Sequence, residues 1–62
     1  MSDPSPLELR RAAGLSRRQI GALADVSDPS IKVYEASRLA VTEPVRRKLD
    51  AVYENLRLKL GR

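Results

Sequence analysis

Apolar residues recur along this chain at three- and four-residue spacing in four separate stretches, and each stretch opens on a helix-start signal. In the first, Ser5-Pro6-Leu7-Glu8 has the form of a capping box. Ser5 accepts from the amide of Glu8, and Pro6 takes a position that needs no amide donor. The helix runs on through Leu9 and Ala13, and Gly14 supplies the left-handed residue that closes it. The second stretch, Arg17 to Ala24, repeats the device with Ser16 and Gln19 and puts Ile20, Leu23 and Ala24 on one stripe predicted to be buried. Asp25 stands where this helix should end, and Val26 points inward from the turn as an apolar wedge.

The third stretch covers Asp28 to Ala36. Ser27 or Asp28 caps it, Pro29 fits its first turn, and Ile31 and Tyr34 face the core, which leaves Ser30, Lys32 and Val33 outward. Ser37 and Arg38 make a loop, Leu39 and Val41 return to the core, and Thr42 caps the last helix. That helix, from about Glu43 to Leu60, is the longest, with Val45, Leu49, Val52, Leu56 and Leu60 on one stripe and Tyr53 beside it. Its outer end outruns so small a core. Leu56, Leu58 and Leu60 therefore form a candidate dimer surface, unless they fold back on the first helix.

The predicted fold is all-α: a single domain over residues 6–62 behind a short lead, residues 1–5, expected to be mobile. A chain of 62 residues buries only about 60% of the surface that its unfolded form exposes, so helix packing must suffice. Cysteine and histidine are both absent, which removes disulfides and thiolate or imidazole metal sites. With no glycine-rich phosphate loop and only scattered carboxylates, no enzyme, metal, cofactor or small-molecule ligand is expected. No apolar run approaches the roughly 18 to 20 residues that span a bilayer, and no apolar secretory segment opens the chain, so a cytoplasmic location is expected.

Charge changes the picture more. The net charge is +4, and nine of the twelve cations are arginine, the residue suited to bidentate contact with phosphate, so nucleic acid is the first partner to consider. Arg17 and Arg18 lie in the first turn of the second helix, where the helix dipole makes cations unfavourable by a few tenths of a kcal/mol. A phosphate at that helix end would turn the local cost into a binding site. Arg46 and Arg47, early in the last helix, break the same rule. Arg10, flanked by Leu9 and Ala13, is expected to pair with Glu35 and tie the first helix to the third, with phosphate contact as its alternative.

From Leu9 to about Val41 the sequence resembles the Cro and lambda-repressor-like helix-turn-helix family, in its Leu9-Arg10, Gly14-Leu15-Ser16, apolar-alanine and Ile31-x-x-Tyr34-Glu35 arrangement. The resemblance implies a compact domain of four or five helices, of which four are legible here. It implies that Asp28 to Ala36 enters the major groove while Arg17 to Ala24 crosses the backbone. Groove positions carried over are Ser27, Asp28, Pro29, Ser30, Lys32 and Val33, with Arg17 and Arg38 on flanking phosphates; the charge argument adds Arg18 and Arg46 to the phosphate contacts. Lys32 would donate to guanine and Val33 would pack on a thymine methyl, whereas Asp28 either accepts from the cytosine amino group or simply caps its helix. Asp25 replaces the usual turn glycine, Gly21 stands where alanine is usual, and Ser37 replaces a frequent loop glycine. The implied function is a sequence-specific regulator of transcription, a small phage- or plasmid-type repressor on an inverted-repeat operator, active in a bacterial or phage-infected cell and associated with the nucleoid. The alternative is a protein-interaction module, an antitoxin-like antagonist or an adaptor, with little DNA affinity of its own.

Overall fold

Four helices and one tight turn follow one another in the computed structural model, which describes residues 4–61: α1 (Pro6–Ala12), α2 (Arg17–Ala24), α3 (Asp28–Ala36), a 3-10 turn (Arg38–Ala40) and α4 (Glu43–Leu60). Residues 1–3, most of the lead expected to be mobile, and residue 62 lie outside the described residues. Both capping boxes form. Ser5 and Glu8 exchange bonds of 3.2 and 2.7 Å, and Ser16 and Gln19 bonds of 3.1 and 2.8 Å, so each reciprocal pair satisfies two amides that the helix start leaves open. Gly14 takes the left-handed conformation after α1, and Asp25 does so after α2 with φ 58°.

Ile20, Ile31 and Leu49, one each from α2, α3 and α4, are fully buried and form the centre of the core. Leu9, Ala24, Tyr34, Tyr53 and Leu56 surround them, and Val26, Val41, Val45 and Val52 pack against the cluster from its edge. α4 is the platform of the fold: α1, α2 and α3 each pack on it.

Two apolar residues differ from expectation, and a third takes one of the two positions left open for it. Leu23 is 64% exposed, because the buried stripe of α2 runs through Ile20 and Ala24 and leans toward Arg17 and Gly21, on the side away from Leu23. Leu39 is 74% exposed. The Ala40 amide bonds the Ser37 carbonyl at 3.0 Å, and that tight turn throws Leu39 outward while Val41 goes back to the core. Leu56 is buried in the same cluster as Leu9, so the apolar end of α4 does in part fold back. Only Leu58 and Leu60 remain exposed of the three leucines expected at a dimer surface. Among the described residues, no helix is long and apolar enough to cross a membrane.

Candidate nucleic-acid interface

The outer face of α3 is set by its inner one. Ile31 and Tyr34 are buried, which leaves Asp28, Lys32 and Ala36 at four-residue spacing, with Pro29 and Val33 beside them, as one exposed stripe. Ser30 is half-buried at its edge. Ser27 is the N-cap of α3 by backbone conformation, yet its hydroxyl does not cap: it lies 3.0 Å from the Ser30 hydroxyl. An open groove lined by Pro29, Ser30, Val33, Val41, Thr42 and Val45 continues this surface toward α4. The six residues expected in a groove therefore fall together at the start of one helix.

The starts of α2 and α3 are joined at that surface, where the guanidinium of Arg17 lies 3.2 Å from the carboxylate of Asp28. Both side chains remain partly exposed, at 38% and 55%. Arg18 and Lys32 are exposed on the same two helices, and among the described residues neither has an ion-pair partner.

Two polar triads brace α3 from behind. In one, Glu35 accepts from Arg10 at 2.6 and 3.1 Å and from the Tyr53 hydroxyl at 2.6 Å, while Arg10 also donates to the Leu15 carbonyl at 3.2 Å. In the other, Asp50 accepts from Arg38 at 2.9 and 2.6 Å and from the Tyr34 hydroxyl at 2.5 Å. The two tyrosine rings stack at 5.2 Å, so α3 gives a phenol to α4 and α4 returns one to α3. Burial pushes the Glu35 carboxyl up, but the bonds from Arg10 and Tyr53 and the Arg10 charge outweigh it and hold Glu35 below the usual carboxylate range. Asp50 is lowered too, first by its bond from Arg38. Burial, then the adjacent carboxylates, raises both phenols above their ordinary value. No buried side-chain polar atom among the described residues lacks a partner.

Cations expected on phosphates also meet protein groups in this fold. Arg38 is engaged bidentately by Asp50, and Arg46 donates to the Val41 carbonyl at 3.0 Å, pinning both ends of the 3-10 turn. Arg47 pairs with Glu43 one turn away. Sequence reasoning missed the Arg38, Asp50 and Tyr34 triad, since twelve residues and a turn separate its charged members and no periodic rule links them.

A model of the helix-turn-helix domain family matches residues 8–55, about three quarters of the chain. The chain belongs to that helix-turn-helix family. Neither curated proteins nor solved structures gave a significant match. In this helix-turn-helix domain, of the Cro-like kind, α2 and α3 with the turn at Asp25 to Ser27 are the two helices that name it. The domain type points to binding of double-stranded DNA, in which the second helix of such a pair lies in the major groove and its N-terminal residues meet base edges.

Proposed function

We propose that this helix-turn-helix protein is a sequence-specific reader of double-stranded DNA, a small Cro-like repressor of transcription. The observation that carries the reading is the exposed first half of α3, where Asp28, Pro29, Lys32 and Val33 share one face beside Arg17 and Arg18 at the start of α2. That face has the chemistry of a base reader: a cationic donor suited to guanine, a carboxylate acceptor, and a branched apolar group suited to a thymine methyl. Arg17 and Arg18 hold the flanking strand, and the inward engagement of Arg38 and Arg46 leaves them a secondary part in phosphate contact. Two copies joined through Leu58 and Leu60 at the end of α4 would read an inverted repeat with half-sites about 34 Å apart. The protein would act in the cytoplasm, on the nucleoid of a bacterial or phage-infected cell.

Selection of bound sites from random duplexes with the purified protein tests this reading. A defined site, bound with an affinity that falls steeply between low and moderate salt, supports it. Lys32→Ala should relax preference at one base pair, whereas Arg18→Ala should weaken every duplex alike and reduce the salt slope by about one unit. Enrichment of no site, together with salt-insensitive capture of a protein, would favour an antagonist or adaptor built on the same helices.

A further inference from the structure

We propose that the Arg17–Asp28 ion pair is a specificity gate: Arg17 reaches a phosphate only at sites where the duplex gives Asp28 a hydrogen-bond donor in exchange. This rests on the DNA-reading function proposed above. Sequence assigns the two residues separate tasks, a cation on the backbone and a carboxylate among the bases. The structure shows them 3.2 Å apart, Arg17 Nε on Asp28 Oδ1, each the first residue of its helix, so a phosphate that draws Arg17 outward competes with Asp28 for it. Asp28 also has Lys32 one turn along the same face, yet it is Arg17, from the neighbouring helix, that it engages.

The exchange follows from what each group needs in contact with a duplex. A half-exposed ion pair is weakly held, so a phosphate oxygen can take the guanidinium from the carboxylate. Asp28 is then an anion against a polyanion. In the major groove guanine offers acceptors at N7 and O6 and thymine an acceptor at O4, all repulsive to a carboxylate; adenine sets an N7 acceptor beside its N6 donor, whereas the cytosine amino group donates with no acceptor on the same base edge, and so suits Asp28 best. A site with cytosine opposite Asp28 therefore compensates the carboxylate and frees Arg17. On other sequences Arg17 stays with Asp28, and one phosphate contact is lost. An acidic residue on a DNA-facing surface thus lowers affinity for the wrong sequences more than for the right one. Asp28 suits the helix dipole in the first turn but makes no capping hydrogen bond, since Ser27 holds the N-cap position and no side chain caps the helix.

The test is a double-mutant cycle read on two duplexes, the selected site and a random one, across a salt series. Asp28→Ala should bind the random duplex several-fold more tightly and steepen its salt slope by about one unit, because Arg17 is now free for phosphate. In an Arg17→Ala background the same change should bring no gain. Replacing the cytosine opposite Asp28 should cost the unaltered protein about ten- to a hundredfold and cost Asp28→Ala far less. Asp28→Asn, which removes the charge and keeps the shape, should also release Arg17 on the random duplex. Neither side chain is buried, and unaltered helical circular dichroism verifies that the variants fold. A gain that survives in the Arg17→Ala background would reduce Asp28 to general repulsion and overturn the gate. So would equal discrimination at every base pair with and without the carboxylate, and in both cases site-specific binding would still stand. Absence of specific binding by the unaltered protein would remove the DNA-reading function and the gate with it.

Discussion

Glu35 carries more of this structure than any other charged residue, because one carboxylate joins three helices: Arg10 of α1 and Tyr53 of α4 both donate to it from either side of α3. Removing one partner of such a pair leaves an uncompensated charge that cannot reach water freely, and breaking buried pairs in this way costs about 3 to 5 kcal/mol. Folding free energies of about 0.05 to 0.15 kcal/mol per residue leave a chain this short little beyond that. Arg10→Met is therefore expected to lose much of its stability and to melt far lower, with thermal unfolding followed by helical circular dichroism as the measurement. The pH dependence has a definite sign. Glu35 and Asp50 titrate below their ordinary values of 4.5 and 3.8, so the stability they contribute is complete above those values and is lost as pH falls through the lower, folded ones. The melting temperature should drop steeply below about pH 4. In Glu35→Gln it should start lower at neutral pH and fall less on acidification; an unchanged acid limb would show that this carboxylate is not the group responsible.

At the scale of elements, the turn between α2 and α3 fixes how the outward face of α3 is presented, and Gly21 is what lets that turn close. A Cβ at position 21 would stand 2.6 Å from the Val26 carbonyl oxygen, a backbone atom that can yield only if the turn itself moves. Gly21→Ala gains about 1 kcal/mol of helix propensity, but overpacking against a fixed neighbour costs about 1 to 3 kcal/mol, so a net loss of stability is expected, with weaker duplex binding as the turn shifts. Asp25, left-handed at φ 58°, is the opposite case. Asp25→Gly relieves about 1 kcal/mol of backbone cost, partly offset in the unfolded chain, and the melting temperature should rise by a few degrees. The helices themselves are legible because their ends are marked: Ser5 with Glu8, Ser16 with Gln19, Pro29 in a first turn and Thr42 before the last helix set limits that the structure reproduces. Leu23 and Leu39 were misplaced for a physical reason. Periodicity says which residues share a face, and the breadth of the buried stripe depends on how neighbouring helices dock. The site divides in the same way. The outward position of Lys32 and Val33 follows from Ile31 and Tyr34 alone, whereas the engagement of Arg17, Arg38 and Arg46 by protein groups depends on tertiary neighbours that local spacing does not encode.

Taken as a whole, the molecule has a core so small that its polar braces and its hydrophobic centre are one cooperative unit, and its two tyrosines report on that unit. Tyr34 and Tyr53 are the only aromatic residues in the chain, both are buried, and they stack on each other with their hydroxyls on opposite carboxylates. Ionising either would place a phenolate in a buried setting against Asp50 or Glu35, which is why both resist deprotonation beyond the ordinary value of 10. A group whose value is raised by folding stabilises the fold below its unfolded value, and that contribution is lost as pH rises through the folded one. Each phenol is bonded across the packing of α3 on α4, so freeing either one loosens the support of the proposed reading face as well as the core. An alkaline titration should therefore show phenolate absorbance rising in one step above pH 10, together with the loss of helical circular dichroism and not before it. One tyrosine ionising near pH 10 while the helices persist would mean that a brace can open by itself, and that α3 is held less firmly than its hydrogen bonds imply.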